Sequence, residues 1–135
     1  MKYSLDTNTC IRFINGRSLG VLAKLPTIPA NEIVVCSIVR AELFYGAAKS
    51  QNPTRSRQKQ ERFLRTYATL SFDDAAANTY GLIRAKLERA GTPIGPLDMQ
   101  IAAIAMANNL ILVTHNTREF GRVEGLKLED WESET

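Results

Sequence analysis

Short apolar stretches in this chain pass straight into helical patterns, and that hand-over restricts the fold more than any other feature. Tyr3-Ser4-Leu5 meets Asp6 and three small polar residues, after which Cys10, Ile11, Phe13 and Ile14 fall at helical spacing. Ile33-Val34-Val35-Cys36 is continuously apolar and largely β-branched, as in a strand buried on both faces. Ser37 follows as the expected N-cap of a helix through Ile38, Leu43, Phe44, Ala47 and Ala48. Thr69-Leu70-Ser71-Phe72 reads as a third strand, Leu110-Ile111-Leu112-Val113-Thr114 as a fourth, and Leu126-Lys127-Leu128 as a weak last one. Strands that alternate with helices form a parallel sheet covered on both sides. The expected fold is α/β: a three-layer α/β/α domain whose central, mainly parallel sheet has four to five strands, with the whole chain, 1–135, as one domain.

The helices have legible ends. Asn15-Gly16 should close the first, because Gly serves well just past a helix. Ser18 can cap a short second helix, which Pro26 and Pro29 stop. Gln51-Asn52-Pro53 breaks the chain before a polar, basic helix that runs to about Tyr67. Asp73 caps a helix whose stripe is Ala76, Tyr80, Ile83, Leu87 and Ala90, and Gly91 ends it. Gly95-Pro96 opens another, with Pro at the tolerated first turn. That helix is apolar nearly all round (Leu97, Met99, Ile101 to Met106), so it should be central.

Composition excludes several classes. A chain of 135 residues can bury a core without disulfide staples. Two cysteines, Cys10 and Cys36, are too few for a disulfide framework and read as small buried apolar residues, which points to a reducing cytoplasm. No N-terminal basic-then-apolar signal segment is read, and Ile101 to Met106 is too short to span a bilayer, so no membrane association is expected. The formal charge of +3 is compatible with a polyanionic partner.

In an open α/β sheet, chemistry collects at the carboxyl ends of the strands. Asp6 follows the first strand, Glu42 lies in the helix after the second, Asp98 in the first turn of the apolar helix, and Asn116 and Glu119 after the fourth strand. Each has an ordinary reading by itself. Asp6-Thr7-Asn8-Thr9 makes a good capped helix start, Asp98 is favoured by the helix dipole, and Asn116-Thr117 makes a plain turn. Glu42 is the most informative: its helical neighbours are Ile38, Val39, Tyr45 and Gly46, and a carboxylate on an apolar face needs water, a partner or a metal. All fall at one edge of the sheet. Hard cations such as Mg²⁺ want oxygen ligands and keep several waters, so two or three carboxylates suffice.

Taken in order, Leu-Asp-Thr-Asn (Leu5 to Asn8), Ala-Glu-Leu-Phe-Tyr-Gly-Ala (Ala41 to Ala47), Gly-Thr-Pro-Ile-Gly-Pro-Leu-Asp (Gly91 to Asp98) and Leu-Val-Thr-His-Asn-Thr-Arg-Glu-Phe (Leu112 to Phe120) form a recognisable series. Val-Glu-Gly-Leu (Val123 to Leu126) and Glu-Asp-Trp (Glu129 to Trp131) extend it. In these motifs the chain resembles the PIN-domain ribonucleases, and within them the VapC toxins of bacterial toxin–antitoxin pairs, over nearly its whole length. The resemblance implies a Mg²⁺- or Mn²⁺-dependent endoribonuclease that hydrolyses phosphodiesters with a metal-activated water. It maps the metal site onto Asp6, Glu42 and Asp98 and places Thr114 as the hydroxyl that orients a water or the scissile phosphate. Many relatives of this kind carry Asp where this chain has Asn116; either Glu119 supplies the fourth acid or the site works with three. The resemblance also implies a homodimer, a VapB-like antitoxin that covers the acidic site with an Arg or Lys, and a structured RNA substrate. Transfer RNA is the usual class, and the anticodon stem-loop of initiator tRNA is the target suggested by the enteric branch.

An acidic pocket must still attract a polyanion. Lys49, Arg55 and Arg57 open a basic stretch that runs to Arg65, and Arg84 and Lys86 lie off the stripe of the Asp73 helix; both are candidates to bind RNA phosphates, with a solvated helix face as the ordinary alternative. His115, the single histidine, falls in a turn, either as a general base or as a plain loop residue. Trp131 should close a hydrophobic edge. Phe13, Phe44 and Tyr45 serve core packing, a dimer face or an antitoxin groove. Two other functions compete with the nuclease. A phosphatase using Asp6 as nucleophile would need a second acid two residues on, where this chain has Asn8. A PIN-like module that binds RNA or a partner without cleaving is compatible with Asn116 at the fourth corner.

Overall fold

A computed structural model describes residues 1–132, so the last three positions of the expected 1–135 domain lie outside the described residues. Among the described residues, four strands, β1 (Tyr3–Leu5), β2 (Ile33–Val34), β3 (Ile111–Val113) and β4 (Lys127–Glu129), form one sheet in the order β2-β1-β3-β4. Every pairing is parallel, with Leu5 opposite Val113 and Val113 opposite Glu129. Between them run α1 (Thr7–Ile14), α2 (Leu19–Lys24), α3 (Ser37–Ala48), α4 (Pro53–Leu64), α5 (Asp74–Arg89), α6 (Pro96–Ala107) and the single turn α7 (Thr117–Phe120). Helices flank the sheet, as the alternating pattern requires. The chain leaves β1 toward β2 on one side and leaves β3 toward β4 on the other. The switch point therefore lies between β1 and β3, where ligands bind beyond the strand ends in sheets of this kind.

The core follows from the runs that specified it. Leu5, Val34, Val35, Cys36, Leu112 and Val113 are fully enclosed, and so are Ala102 to Ala105 of α6. Burying Ile104 alone is worth about 1.5–3 kcal/mol. Cys10 and Cys36 are buried free thiols, and burial raises both above the usual thiol range. Trp131 is buried with its ring edge-on to Tyr3, the centroids 5.2 Å apart. Asn15 and the left-handed Gly16 (φ 63°) end α1, and Ser18 caps α2 through the Val21 N–H at 3.2 Å.

Several boundaries depart from the sequence reading. Thr69 to Phe72 is not a strand: a single parallel bridge joins Val34 to Ala68, and Val35 and Ser37 then donate to the Ala68 and Leu70 carbonyls. β2 has only two residues, and the Arg40 guanidinium takes the Val35 and Tyr67 carbonyls at 2.9 Å each, so no ladder propagates. Cys36, not Ser37, occupies the N-cap of α3, because the Ser37 N–H is committed to Leu70. Ala48, Ala90 and Leu97 are exposed; Leu97 stands in the first turn of α6, before the helix enters the core at Met99. The basic helix ends at Leu64 rather than Tyr67, and the Phe120 turn is one helical turn. Tyr45 does not pack in the core; it is 67% exposed, with the Lys49 ammonium 4.7 Å from its ring.

Candidate active site

Asp6 is held at the switch point by both neighbouring strands. Its N–H donates to the Val113 carbonyl at 3.1 Å, which extends the β1–β3 ladder to the carboxylate itself. Asp6 is also the N-cap of α1: its Oδ1 accepts the Thr9 N–H at 2.8 Å. The cap and the site are thus one residue, whereas Thr7 is free of capping and donates its hydroxyl to Glu42 Oε1. Thr114, fully buried, hydrogen-bonds the Asp6 carboxylate. Burial nonetheless raises Asp6 above the ordinary carboxylate range; the Thr114 and Thr9 hydrogen bonds pull it back, and Glu42 adds to the rise.

Asp98 enters from the first turn of α6, behind Gly95 and Pro96. Its carboxyl is pushed up to about 6 by burial, then by the charges of Glu42, Glu119 and Asp6. Four acids from four parts of the chain therefore act on one another. Asp6, Thr7, Asn8, Glu42, Asp98 and Asn116 line a cavity of about 150 Å³ over a floor of Ile101 and Phe120. Glu119 stands at its border, where the Asn116 amide donates to Glu119 Oε2 at 2.8 Å. The Asn116 N–H in turn donates to the Thr114 hydroxyl at 3.0 Å. The structure therefore brings together all six residues that the sequence nominated for catalysis.

A divalent cation fits this donor set as a hydrated, open site. Among the described residues, no three His, Cys, Asp or Glu side chains close into a ready-made cage. The cavity lining instead offers three carboxylates and two side-chain amides, with no Lys or Arg to offset them. Uncompensated carboxylates at close quarters are costly unless a cation is shared between them. A hard cation that retains several waters needs only one or two of them directly.

The basic candidates divide into two groups. Arg57 is bound to Glu61 at 2.9 Å and lies 3.5 Å over the Phe44 ring. Arg84 is paired with Glu88 at 3.0 Å and Tyr80 at 2.9 Å, and Lys86 with Glu124 at 2.5 Å. Arg55 makes no ion pair among the described residues and stands exposed at the start of α4. Next to the acidic cavity, and sharing Glu42 with it, a second cavity of about 250 Å³ lies between α1, α3 and α4, with Lys59 and Gln60 in its wall.

Two residues were not singled out by sequence. Thr7 fixes Glu42 across 35 positions, a role a first-turn hydroxyl beside an acid could have suggested. Asp130 receives His115 Nδ1 at 3.0 Å; no local spacing signals that pair, because it depends on β4 lying beside β3.

Comparison with known proteins is consistent across three levels. A sequence profile described as PIN domain matches residues 3–126. The tRNA(fMet)-specific endonuclease VapC of Shigella flexneri is 44% identical over 97% of this chain and 98% of its own length. The DNA-bound VapBC structure from Salmonella typhimurium superimposes with a TM-score of 0.92 at 40% identity, covering 97% of this chain and 98% of that one. VapBC2 from Rickettsia felis, bound to a DNA fragment from its promoter, gives 0.91 at 38% identity, covering 97% and 99%.

Proposed function

Because the chain belongs to the PIN-domain family, and within it to the VapC ribonuclease toxins, we propose that it is a metal-dependent endoribonuclease restrained by a cognate VapB-like antitoxin, with tRNA as substrate. The observation that carries this reading is the convergence of Asp6, Glu42 and Asp98 on one cavity at the β1–β3 switch point, with no basic side chain in its lining. The initiator tRNA anticodon stem-loop is the target in this reading, in keeping with the name of the Shigella relative. Mg²⁺ is the cation, with Mn²⁺ as substitute. The protein works as a homodimer in the cytoplasm; no helix among the described residues is long and apolar enough to cross a membrane.

Asp6, Glu42 and Asp98 would hold the cation. When bound, it supplies Lewis acidity and a water acidic enough to ionise near neutral pH. The chain's own groups do the positioning. Thr114 orients Asp6, Thr7 orients Glu42, and Asn116 holds Glu119 toward the cluster. Glu119 is then the fourth acid, and Asn116 its brace. Ile101 and Phe120 exclude water from below. Without the cation the same cavity suits a guanidinium or ammonium group, which is how an antitoxin side chain would silence it.

Antitoxin-free protein incubated with total tRNA, with Mg²⁺ or with EDTA, tests the proposal. Metal-dependent cuts at one position, absent in Asp6→Asn and Asp98→Asn, are expected. RNA binding without cleavage would favour the binding module, and an aspartyl-phosphate at Asp6 would favour the phosphatase.

A further inference from the structure

The β3–β4 edge carries a polar pair that the acidic cavity does not use. His115 lies between Thr114, which hydrogen-bonds Asp6, and Asn116, which lines the cavity. Its Nδ1 is 3.0 and 3.2 Å from the two Asp130 oxygens. Asp130 is itself fixed: its side chain is only 18% exposed, and its Oδ1 accepts the Glu132 N–H at 2.9 Å. The Thr114 N–H donates to the Glu129 carbonyl at 2.9 Å, so both ends of the pair sit on a closed ladder. A side chain on an ordinary surface loop has no such support.

An ionised carboxylate only accepts hydrogen bonds, so Nδ1 must carry the proton. In neutral imidazole the other nitrogen is then a bare acceptor. The His115 side chain is 60% exposed, and no hydrogen bond to its Nε2 is seen among the described residues. When neutral, His115 is thus an oriented acceptor on the segment between Thr114 and Asn116, next to the acidic cavity that Asn116 lines. A neutral acceptor suits a hydroxyl donor, and the ribose 2′-hydroxyl is the donor that distinguishes RNA from DNA along a strand.

We propose that His115, oriented by Asp130, accepts a hydrogen bond from a ribose 2′-hydroxyl flanking the scissile phosphate and so selects RNA over DNA. This rests on the ribonuclease reading above. His115 here is a specificity residue, and Asp130 positions it.

The test uses the full chain and the RNA hairpin it cleaves, with single 2′-deoxy substitutions at each nucleotide beside the cut. One such substitution is expected to lower kcat/KM roughly tenfold in the wild type. In His115→Ala that penalty disappears. In His115→Gln, whose amide oxygen can stand where Nε2 does, it is retained in part. In Asp130→Asn, which can donate to Nδ1 and leave the proton on Nε2, it shrinks. An unchanged deoxy penalty in His115→Ala, no penalty in the wild type, or an equal loss on ribo and deoxy substrates (a phosphate contact) would overturn the proposal. If the all-ribo hairpin is not cut by the wild type at all, the ribonuclease reading fails instead.

Discussion

The Asn116 side-chain amide donates to Glu119 Oε2 at 2.8 Å, and through that bond an uncharged residue at the cavity edge sets the place of an acid just beyond it. The charge of Glu119 reaches Asp98. Glu119→Gln should therefore lower kcat by about 10²-fold, as losing a transition-state charge partner does. Asn116→Ala, which only loosens Glu119, should cost less, about threefold to tenfold. Single-turnover cleavage at saturating metal separates the two; equal or reversed effects would put Asn116 itself in the fourth corner.

Thr7 plays the same bracing part for Glu42. Thr7→Val removes a hydroxyl bonded to a carboxylate and nothing of comparable volume. A hydrogen bond to a charged group is worth about 1.5–3 kcal/mol. The metal concentration for half-maximal cleavage should rise by up to about tenfold on this basis, and the metal-free protein should also melt at a lower temperature, because the bond is present without metal. Thr7→Ser should restore metal affinity.

The fold was legible where pattern and geometry coincide. β-branched runs gave the central strands, and Asp73, Ser18 and Gly95-Pro96 marked helix starts that the structure keeps. The segment 69–72 misled because β-like residues there meet a strand of only two residues, just past whose end Arg40 takes the Val35 carbonyl. Leu97 and Ala90 misled because an apolar stripe does not record where a helix leaves the core. In the site, the acids themselves could be read from their place after strands. Their braces could not: Thr7–Glu42 and His115–Asp130 join residues far apart in sequence, and periodicity carries no trace of such pairs.

Asp98 makes the metal-free protein sensitive to pH in a definite direction. Its folded-state carboxyl sits at about 6 against 3.8 for the free side chain. The folded chain thus holds this proton more tightly than the unfolded chain. The resulting penalty is absent below about pH 4 and complete above about pH 6, so stability falls as pH rises through that window. The shift corresponds to at most ~3 kcal/mol, and screening at this half-buried position reduces it to about 1 kcal/mol. Asp98→Asn should raise the melting temperature in EDTA at pH 7.5 and leave it nearly unchanged at pH 4. A destabilised variant at pH 7.5 would contradict the description of the cluster.

The basic residues should not contribute equally to RNA affinity. Arg84 and Lys86 are paired with acids, whereas Arg55 is not among the described ion pairs. Arg55→Ala should weaken binding to cleavage-dead Asp98→Asn protein and reduce the slope of log affinity against log salt by about 1. Arg84→Ala should leave the slope unchanged. The reverse order would move the RNA path from α4 to α5.

Direct metal binding tests the acidic cavity most closely. Mn²⁺ titrated into antitoxin-free protein at pH 7.5, followed by its electron paramagnetic resonance signal, should bind stoichiometrically to the wild type. Binding should weaken at least about tenfold in Asp6→Asn and in Asp98→Asn, and tRNA cleavage in the same samples should fall with it. Undiminished Mn²⁺ binding in both variants, or tRNA cleavage that persists without bound metal, would contradict the account.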